Sequence, residues 1–427
     1  MDNKLKQMIT EYIENHKSEL FSLLSELIKI NSENFGTHGN EKFCADFVAE
    51  KLRGLEIEHC IYAPDSVPGI LQHKDYLSGR GTSERPNVSG VIKGRSGEKA
   101  LMLTAHIDTV PIGDEALWTV PPLGGIIKNG RIYGRGACDD KYAVATILFV
   151  MGMLKELHLQ LENDLYFTGY VDEEFGGGNG ALAACLKYPC DAYVNLDCKN
   201  MRIWNCAAGG RRERLTLEYG NIADTCDTMI EAIYRAKKEL HVFGENRKKD
   251  LMANHRFDGH YVVDKSMRIL EVQSGLNTND RNMAHIEFAY YTDKDEEEIN
   301  VELLALKERL NSTMKDIGVC VKELKPVTRY FRYACSESDN ELITLLQNSG
   351  KLMNNEDIIV EASCLSDLSI FINNGSASSF SFGIGRDFDV PGGAHLADEF
   401  VECEKLVDFV KAVAAFVCEW GQVRYEV

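Results

Sequence analysis

Hydrophobic positions in the first half of the chain follow helical and strand periods in alternation. Apolar residues fall on one helical face at several places between residues 5 and 53. Apolar runs then predict strands and helices in the order strand 88–92, strand 100–104, helix 141–158, strand 164–171, helix 179–187 and strand 192–196. This alternation predicts an α/β fold with a largely parallel sheet. In such sheets, functional side chains gather at the carboxyl ends of the strands.

The pattern changes after about residue 209. The next elements are predicted as strand 215–219, helix 228–240, strand 267–272, strand 285–291, helix 295–314 and strand 319–324. This β-α-β-β-α-β order is that of a ferredoxin-like α+β module. Helices near 340–353 and 402–419 then resume the first pattern. We therefore predict an α/β domain in two parts, 1–208 and 328–427, with an α+β domain inserted at 209–327.

Candidate chemistry begins where the predicted strand 100–104 runs on into His106 and Asp108. Residues two apart on a strand share a face, so Asp108 is placed to hold the His106 imidazole while that imidazole binds a metal ion. A strand that ends in a turn with two hydrogen-bonded polar residues has the same sequence. This motif alone leaves both interpretations open.

A second motif combines glycines with acidic residues at the start of the predicted helix 141–158. Gly134 and Gly136 permit a tight turn, and Asp139 and Asp140 follow it. These aspartates are placed either to bind a metal ion or to cap the helix, and capping is the simpler interpretation of the motif by itself.

A third motif, Asp172-Glu173-Glu174, closes the predicted strand 164–171. Neighbouring side chains at a strand end diverge, so one glutamate can face a metal ion while the other faces a substrate. A solvated acidic turn is the alternative. The position at a strand end of a parallel sheet favours the functional interpretation.

Two further residues complete the pattern: Asp197 ends the predicted strand 192–196, and His395 lies in the segment 392–399. In this order, the motifs closely resemble the metallopeptidase family of acetylornithine deacetylase, succinyl-diaminopimelate desuccinylase, aminoacylase and bacterial glutamate carboxypeptidase. The resemblance covers nearly all of the α/β part. It also includes Trp118, Pro121-Pro122, 130–134, Ser366-Asp367 and 383–385.

The resemblance implies a zinc-exopeptidase-like catalytic domain with an inserted lid or dimerisation domain, and hence a homodimer. Glu173 is implied as the general base, and Asp108 as the residue that orients His106. Asp139 would bridge two metal ions. The implied ligands are His106, Asp139 and Asp197 for one ion and Asp139, Glu174 and His395 for the other.

The chemistry of these residue types agrees with the implied roles. Imidazole and carboxylate ligands suit two divalent ions, with zinc expected and cobalt or manganese as substitutes. Such a site lowers the pKa of a bridging water towards ~7, and Glu173 would pass its proton to the leaving amine. The expected activity is exopeptidase or deacylase cleavage of amide bonds in small peptides or N-acyl amino acids. The alternatives are a binding protein that kept the metal site and a two-metal phosphoesterase, which shares the ligand types but not their order.

The inserted domain departs from the family pattern at two places. Asp224 stands where a histidine is expected, and the segment 288–292 offers tyrosines where an arginine is expected to clamp a substrate carboxylate. Three explanations stay open: the substrate lacks the usual carboxylate, the protein is weakly active, or another residue takes over. The candidates for that replacement are His255, His260, Arg281 and Arg211.

Composition narrows the partners and the compartment. The formal net charge is -19, which disfavours nucleic acid and anionic membranes as partners. The longest apolar run, 142–154, is too short to span a bilayer and predicts a buried helix. The N-terminus has no secretory pattern, and the 13 cysteines contain no Cys-x-x-Cys pair. These features argue against a disulfide framework and predict a cytoplasmic protein.

Overall fold

The computed structural model describes residues 1–220, 225–274, 282–337 and 339–425. Contacts divide the chain into two compact units. Unit 1 comprises Met1–Asn205, Ser336–Glu361 and Ile370–Val427, and unit 2 comprises Cys206–Cys335 and Ala362–Ser369.

The secondary structure alternates along the chain as follows. The helices are α1 Asn3–Lys29, α2 Lys42–Gly54, α3 Lys141–Glu156, α4 Asn179–Lys187, α5 Thr225–Ala253, α6 Tyr261–Asp264, α7 Glu296–Met314, α8 Glu341–Asn354, α9 Leu368–Ile370 and α10 Cys403–Trp420. The strands are β1 Glu58–Tyr62, β2 Asn87–Ile92, β3 Ala100–His106, β4 Ile126–Lys128, β5 Arg131–Tyr133, β6 Asp164–Tyr170, β7 Ala192–Asn195, β8 Arg202–Ala207, β9 Gly209–Tyr219, β10 Met267–Ser274, β11 Met283–Thr292, β12 Val319–Pro326, β13 Ala334–Cys335, β14 Val360–Ser363, β15 Phe380–Gly383 and β16 Phe400–Glu402.

Unit 1 is built on a sheet in the order β1-β2-β6-β3-β7-β15-β8. Its central strands β6, β3, β7 and β15 are parallel, whereas β1, β2 and β8 join the edges in antiparallel pairs. The predicted α/β fold with a parallel central sheet is confirmed. Parallel central strands bring their carboxyl ends to one edge, where the polar motifs following β3, β6 and β7 meet.

The core of unit 1 explains the longest apolar run in the sequence. Every residue of α3 from Lys141 to Leu154 is buried, as expected for a helix that is hydrophobic all round. This helix packs in one cluster with α1 and α10. Within the described residues, none of the helices combines the length and apolarity needed to cross a bilayer.

Unit 2 contains a four-stranded sheet in the order β10-β11-β9-β12, and every neighbouring pair is antiparallel. Helices α5 and α7 pack on one face of this sheet through a buried apolar cluster that includes Phe243, Phe288 and Leu306. The order β9-α5-β10-β11-α7-β12, with α6 added after α5, is that of the predicted ferredoxin-like module.

The contacts assign three short segments differently from the predicted domain boundaries. Residues 206–208, 328–335 and 362–369 were predicted to belong to the α/β domain but group with unit 2. Strand pairing is one reason, because Cys206 and Ala207 of β8 pair with β13. In addition, the Ala208 main-chain N–H donates to the Ser363 carbonyl.

The same strand pair joins two cysteines that no sequence spacing connected. Cys206 and Cys335 lie opposite each other on β8 and β13 with their Cα atoms 4.0 Å apart, and they form a disulfide. This single pair, separated by 129 residues, is an exception to the argument against disulfides. The other eleven cysteines form no disulfide.

Candidate metal centre

Three strand ends and two loops supply the side chains of the candidate site. His106 is the last residue of β3, Glu174 follows β6, and Asp197 follows β7. Asp139 precedes α3, and His395 lies in the loop between β15 and β16. Because β3, β6 and β7 are parallel neighbours, their ends converge, and the two loops contribute from beside them.

The structure brings together all five residues that the sequence analysis singled out as ligands. One group contains His106, Asp139 and Asp197, another contains Asp139, Glu174 and His395, and the ligand atoms in each group lie within 4.8 Å of one another. The two oxygens of Asp139 face different imidazoles: Oδ1 is 3.0 Å from His106 Nε2, and Oδ2 is 3.1 Å from His395 Nε2. Asp139 thus stands between the two groups, as a bridging carboxylate must.

The structure does not show the alternative structural interpretations of the second and third motifs. Asp140 is the N-cap residue of α3, but its side chain makes no capping hydrogen bond, while Asp139 faces the two histidines. The acidic turn after β6 is not solvated either, because Asp172 is 0% exposed and Glu174 only 4%.

The electrostatics of the cluster fit a divalent cation. Burial raises the pKa of Asp197 to about 7, and the nearby charge of Asp139 adds to that shift. Burial would also raise the pKa of Asp139, but hydrogen bonds from His106 and His395 outweigh it and hold that pKa below its usual value. Three carboxylates crowded together without enough positive charge are costly, and metal ions would supply that charge.

The role of Asp108 differs from the expected one. Its main-chain carbonyl, rather than its carboxylate, contacts His106 Nδ1 at 2.9 Å, and its carboxylate oxygen Oδ1 is 3.8 Å from that nitrogen. A carbonyl only accepts, so Nδ1 carries a proton, and Nε2 is the ring nitrogen that could bind a metal ion in place of its contact with Asp139. The Asp108 carboxylate instead accepts the main-chain N–H groups of Glu173 at 3.3 Å and Glu174 at 3.0 Å.

Glu173 lies beside the ligand groups without belonging to the two that share Asp139. It is half-buried, and one of its carboxylate oxygens lies within 4.8 Å of ligand atoms of His106 and Glu174. This position is compatible with proton transfer at the cluster. The assignment of Glu173 as the general base stays a prediction.

Sequence reasoning missed a buried ion pair that ties the two ligand-bearing loops together. Arg135 Nη1 donates to Glu399 Oε2 at 2.6 Å, and Arg135 Nη2 donates to the His395 carbonyl at 3.3 Å. Glu399 also accepts the main-chain N–H groups of Gly136 and Cys138. Arg135 and Glu399 both lie within the motifs described above, but no sequence pattern predicted that they pair with each other.

The residues considered as replacements for the missing lid histidine and arginine have other partners. Arg211 pairs with Glu213 and Glu296. The side chain of His255 is 92% exposed and lies near Asp258, and His260 is the N-cap residue of α6. Asp224 and Arg281 lie outside the described residues.

Tyr290 and Tyr291, near the end of β11, occupy opposite faces of that strand. Tyr290 packs with Phe243 and Phe288 in the core of unit 2. Tyr291 packs in a separate cluster, and its hydroxyl accepts a hydrogen bond from Arg268 at 3.0 Å. Consecutive side chains of a strand point to opposite faces, which accounts for their separate surroundings.

Two imidazoles and three carboxylates, with Asp139 at the centre, form two groups that could each hold a metal ion. The sequence model of Peptidase family M20/M25/M40 matches residues 102–419, and the chain belongs to this family. It is therefore a metal-dependent hydrolase that acts on amide bonds.

Individual relatives agree with this membership. The chain is 23% identical over 443 residues to N-formyl-4-amino-5-aminomethyl-2-methylpyrimidine deformylase of Bacillus subtilis, a match that covers 96% of each protein. Its fold is similar to that of the di-peptidase Dug1p from Saccharomyces cerevisiae, with a TM-score of 0.74, 15% identity and 98% of each chain covered. It is also similar to a dinuclear metal binding peptidase of Bacillus subtilis, with a TM-score of 0.57, 16% identity and coverage of 95% of this chain and 99% of the other.

Proposed function

We propose that this protein is an exopeptidase or deacylase that hydrolyses small peptides or N-acyl amino acids, with Glu173 as the general base. The observation that carries the proposal is the position of Asp139 between His106 and His395, with Glu173 beside the cluster. A site kept only for binding metal has no need of a base at that place. The peptidase and deformylase relatives support the same substrate class.

The bound metal ions would polarise the substrate carbonyl and promote ionisation of a water molecule. His106, Asp139 and Asp197 would hold one ion, and Asp139, Glu174 and His395 the other. We propose zinc as the natural metal, since imidazole and carboxylate ligands suit it, with cobalt or manganese as substitutes.

The protein's own residues would then move one proton twice. The Glu173 carboxylate takes a proton from the attacking water as the new C–O bond forms. It gives that proton to the amine nitrogen as the C–N bond breaks, so the amine leaves neutral. The Asp108 carboxylate holds the Glu173 main chain in place during both transfers.

The direct test is hydrolysis of a mixed library of dipeptides, tripeptides and N-acyl amino acids, including N-formyl compounds. Zinc-, cobalt- and manganese-loaded protein would be compared with a Glu173→Ala variant loaded in the same way. Turnover that disappears in the variant supports the proposal. Two bound ions per chain without turnover of any library member would favour the binding-protein alternative.

We predict that substrates with a blocked carboxyl terminus are tolerated. The end of β11 carries no arginine, Tyr290 is buried, and Tyr291 is bonded to Arg268. A charge-assisted hydrogen bond to a substrate carboxylate contributes about 1.5–3 kcal/mol, and that contribution is missing from this position. We therefore expect kcat/KM for a preferred dipeptide and for its C-terminal amide to differ by less than ~10-fold.

The measurement is a pair of progress curves at matched concentrations, with the Glu173→Ala protein as the background control. A strict requirement for the free α-carboxylate would contradict this prediction and would point to a carboxylate clamp elsewhere in the protein.

We also propose a cytoplasmic homodimer. Eleven of the 13 cysteines form no disulfide, which favours a reducing compartment, although Cys206–Cys335 is an exception to that pattern. The inserted module is where the resemblance places the dimer contact. Light scattering and cell fractionation test these two proposals separately.

A further inference from the structure

The turn that carries Glu173 and Glu174 has a backbone that ordinary side chains rarely adopt. Asp172 and Phe175 have positive φ angles of 68° and 64° although neither is glycine. Such conformations persist only where the surroundings enforce them, and they concentrate at functional sites. The contacts that hold this turn therefore contribute to the geometry of the base and of one metal ligand.

The Asp172 carboxylate is fixed by two buried guanidinium groups. Arg80 approaches Asp172 Oδ1 with Nε at 2.9 Å and Nη2 at 2.8 Å, and Arg85 Nη1 approaches the same oxygen at 3.3 Å. Gly177 closes over this carboxylate, since a Cβ atom there would lie 2.2 Å from Asp172 Oδ2. The start of the turn is thus held by charge and by close packing.

Arg80 also contacts the main chain of Glu174, one of the candidate metal ligands. Arg80 Nη2 donates to the main-chain carbonyl of Glu174 at 3.2 Å. Asn34 Nδ2 donates to that carbonyl at 3.0 Å and to the Asp108 carboxylate at 2.8 Å. One carbonyl therefore receives two side-chain donors, and the N–H of the same residue is held by Asp108.

Other buried charged residues hold Arg80 in place. Arg85 Nη1 donates to the Arg80 carbonyl at 2.9 Å, and Arg85 Nε donates to Glu41 at 2.7 Å. Arg85 is 1% exposed, Glu41 is 0% exposed and Arg80 is 8% exposed. Two buried cations thus face two buried acids, Glu41 and Asp172.

Burial of these four charged residues is weak evidence that they stabilise the fold, because well-packed apolar residues often stabilise a folded protein equally well. A guanidinium group differs from apolar residues because it donates hydrogen bonds in fixed directions and can bond two acceptors at once. Here those acceptors are the first carboxylate of the turn and the carbonyl of the metal ligand at its centre.

We propose that Arg80 is a positioning residue that sets the geometry of Glu173 and Glu174, with Arg85 and Asn34 as its supports. The inference rests on the proposed function in assigning Glu173 as the base. Its metal-binding consequence does not, because Glu174 belongs to a ligand group whatever the reaction. Loss of Arg80 frees the turn to relax, which moves the base and one ligand together.

The experiment compares Arg80→Met, which keeps an unbranched apolar stem without the charge or donors, with Arg80→Lys. Exposed Arg95 gives the matched control Arg95→Met. We expect Arg80→Met to lower kcat by ~10–100-fold, the usual effect of losing a group that orients a metal ligand, with KM changed less than ~3-fold. Arg80→Lys should fall between this variant and the wild-type protein.

Two readouts separate positioning from a general loss of structure. Cobalt titration followed by visible absorption should show the second ion bound about 10-fold more weakly in Arg80→Met, with the first little changed. Added guanidinium ion should restore part of the activity of Arg80→Met and none of that of Glu173→Ala.

Wild-type kcat and wild-type cobalt affinity in folded Arg80→Met would overturn the proposal. So would a loss that follows the melting temperature alone and is equal in Arg80→Lys. If Arg80→Met does not fold, Arg80→Lys and Asn34→Ala take its place. If the wild-type protein turns over no library member, the proposed function fails, and the cobalt titration still decides whether Arg80 positions Glu174.

Discussion

Glu173→Gln is expected to lower kcat by ~10²–10⁴-fold, the range that a positioned general base contributes. The glutamine keeps the size and the hydrogen-bonding shape of the side chain but cannot take a proton from water. Its main-chain N–H still donates to Asp108, so the turn should keep its geometry. The effect should therefore fall on kcat, with KM changed little.

Metal content distinguishes loss of the base from loss of the site. Glu173 is outside both ligand groups that share Asp139, so Glu173→Gln should bind two ions per chain, as measured by elemental analysis of the dialysed protein. Exposed Glu98 provides the matched substitution Glu98→Gln, which should leave kcat unchanged. Activity of Glu173→Gln within threefold of the wild-type protein would remove Glu173 from the mechanism.

Complete metal removal is expected to lower the melting temperature by ~5–10 °C. A ligand present at 1,000 times its Kd stabilises the folded state by about 4 kcal/mol, and a domain of this size loses ~2 °C or more per kcal/mol. The physical source is the crowding of Asp139, Glu174 and Asp197, whose mutual repulsion the metal ions relieve. The raised pKa of Asp197, about 7 without metal, reflects its burial first and the charge of Asp139 second.

Differential scanning fluorimetry before and after chelation provides the measurement, with metal add-back as the test of reversibility. Asp139→Asn is the informative variant, because it weakens both ligand groups and should make the melting temperature insensitive to chelator. An unchanged melting temperature after verified removal of both ions would show that the cluster is stable without them.

Local sequence patterns were sufficient for the elements that obey one period over their whole length. Helix α3 was predictable because its buried run is continuous. The β-α-β-β-α-β order of unit 2 was predicted correctly, although α5 is much longer than the predicted helix 228–240. Strands β1 and β8 escaped prediction because their burial follows no clean alternation. The set of candidate ligands came from the resemblance of ordered motifs, since each motif alone had an ordinary structural explanation.

The position of Asp108 shows where such patterns stop being informative. The argument that residues two apart share a face holds only within a strand, and β3 ends at His106. Beyond that residue the chain turns, so the Asp108 carboxylate faces the turn after β6 instead of the imidazole.

The sequence by itself determined the order of the elements, the α/β class with its inserted module, and the residue types available for a dinuclear site. Only the tertiary structure decided the partners of the buried charges: Arg80 with Asp172, 92 residues away, and Arg135 with Glu399, 264 residues away. The physical reason is that periodicity reports which face of an element is buried, a local property. The partner of a buried charge depends on which distant segments the fold brings within about 3 Å of it, and no local pattern records that distance.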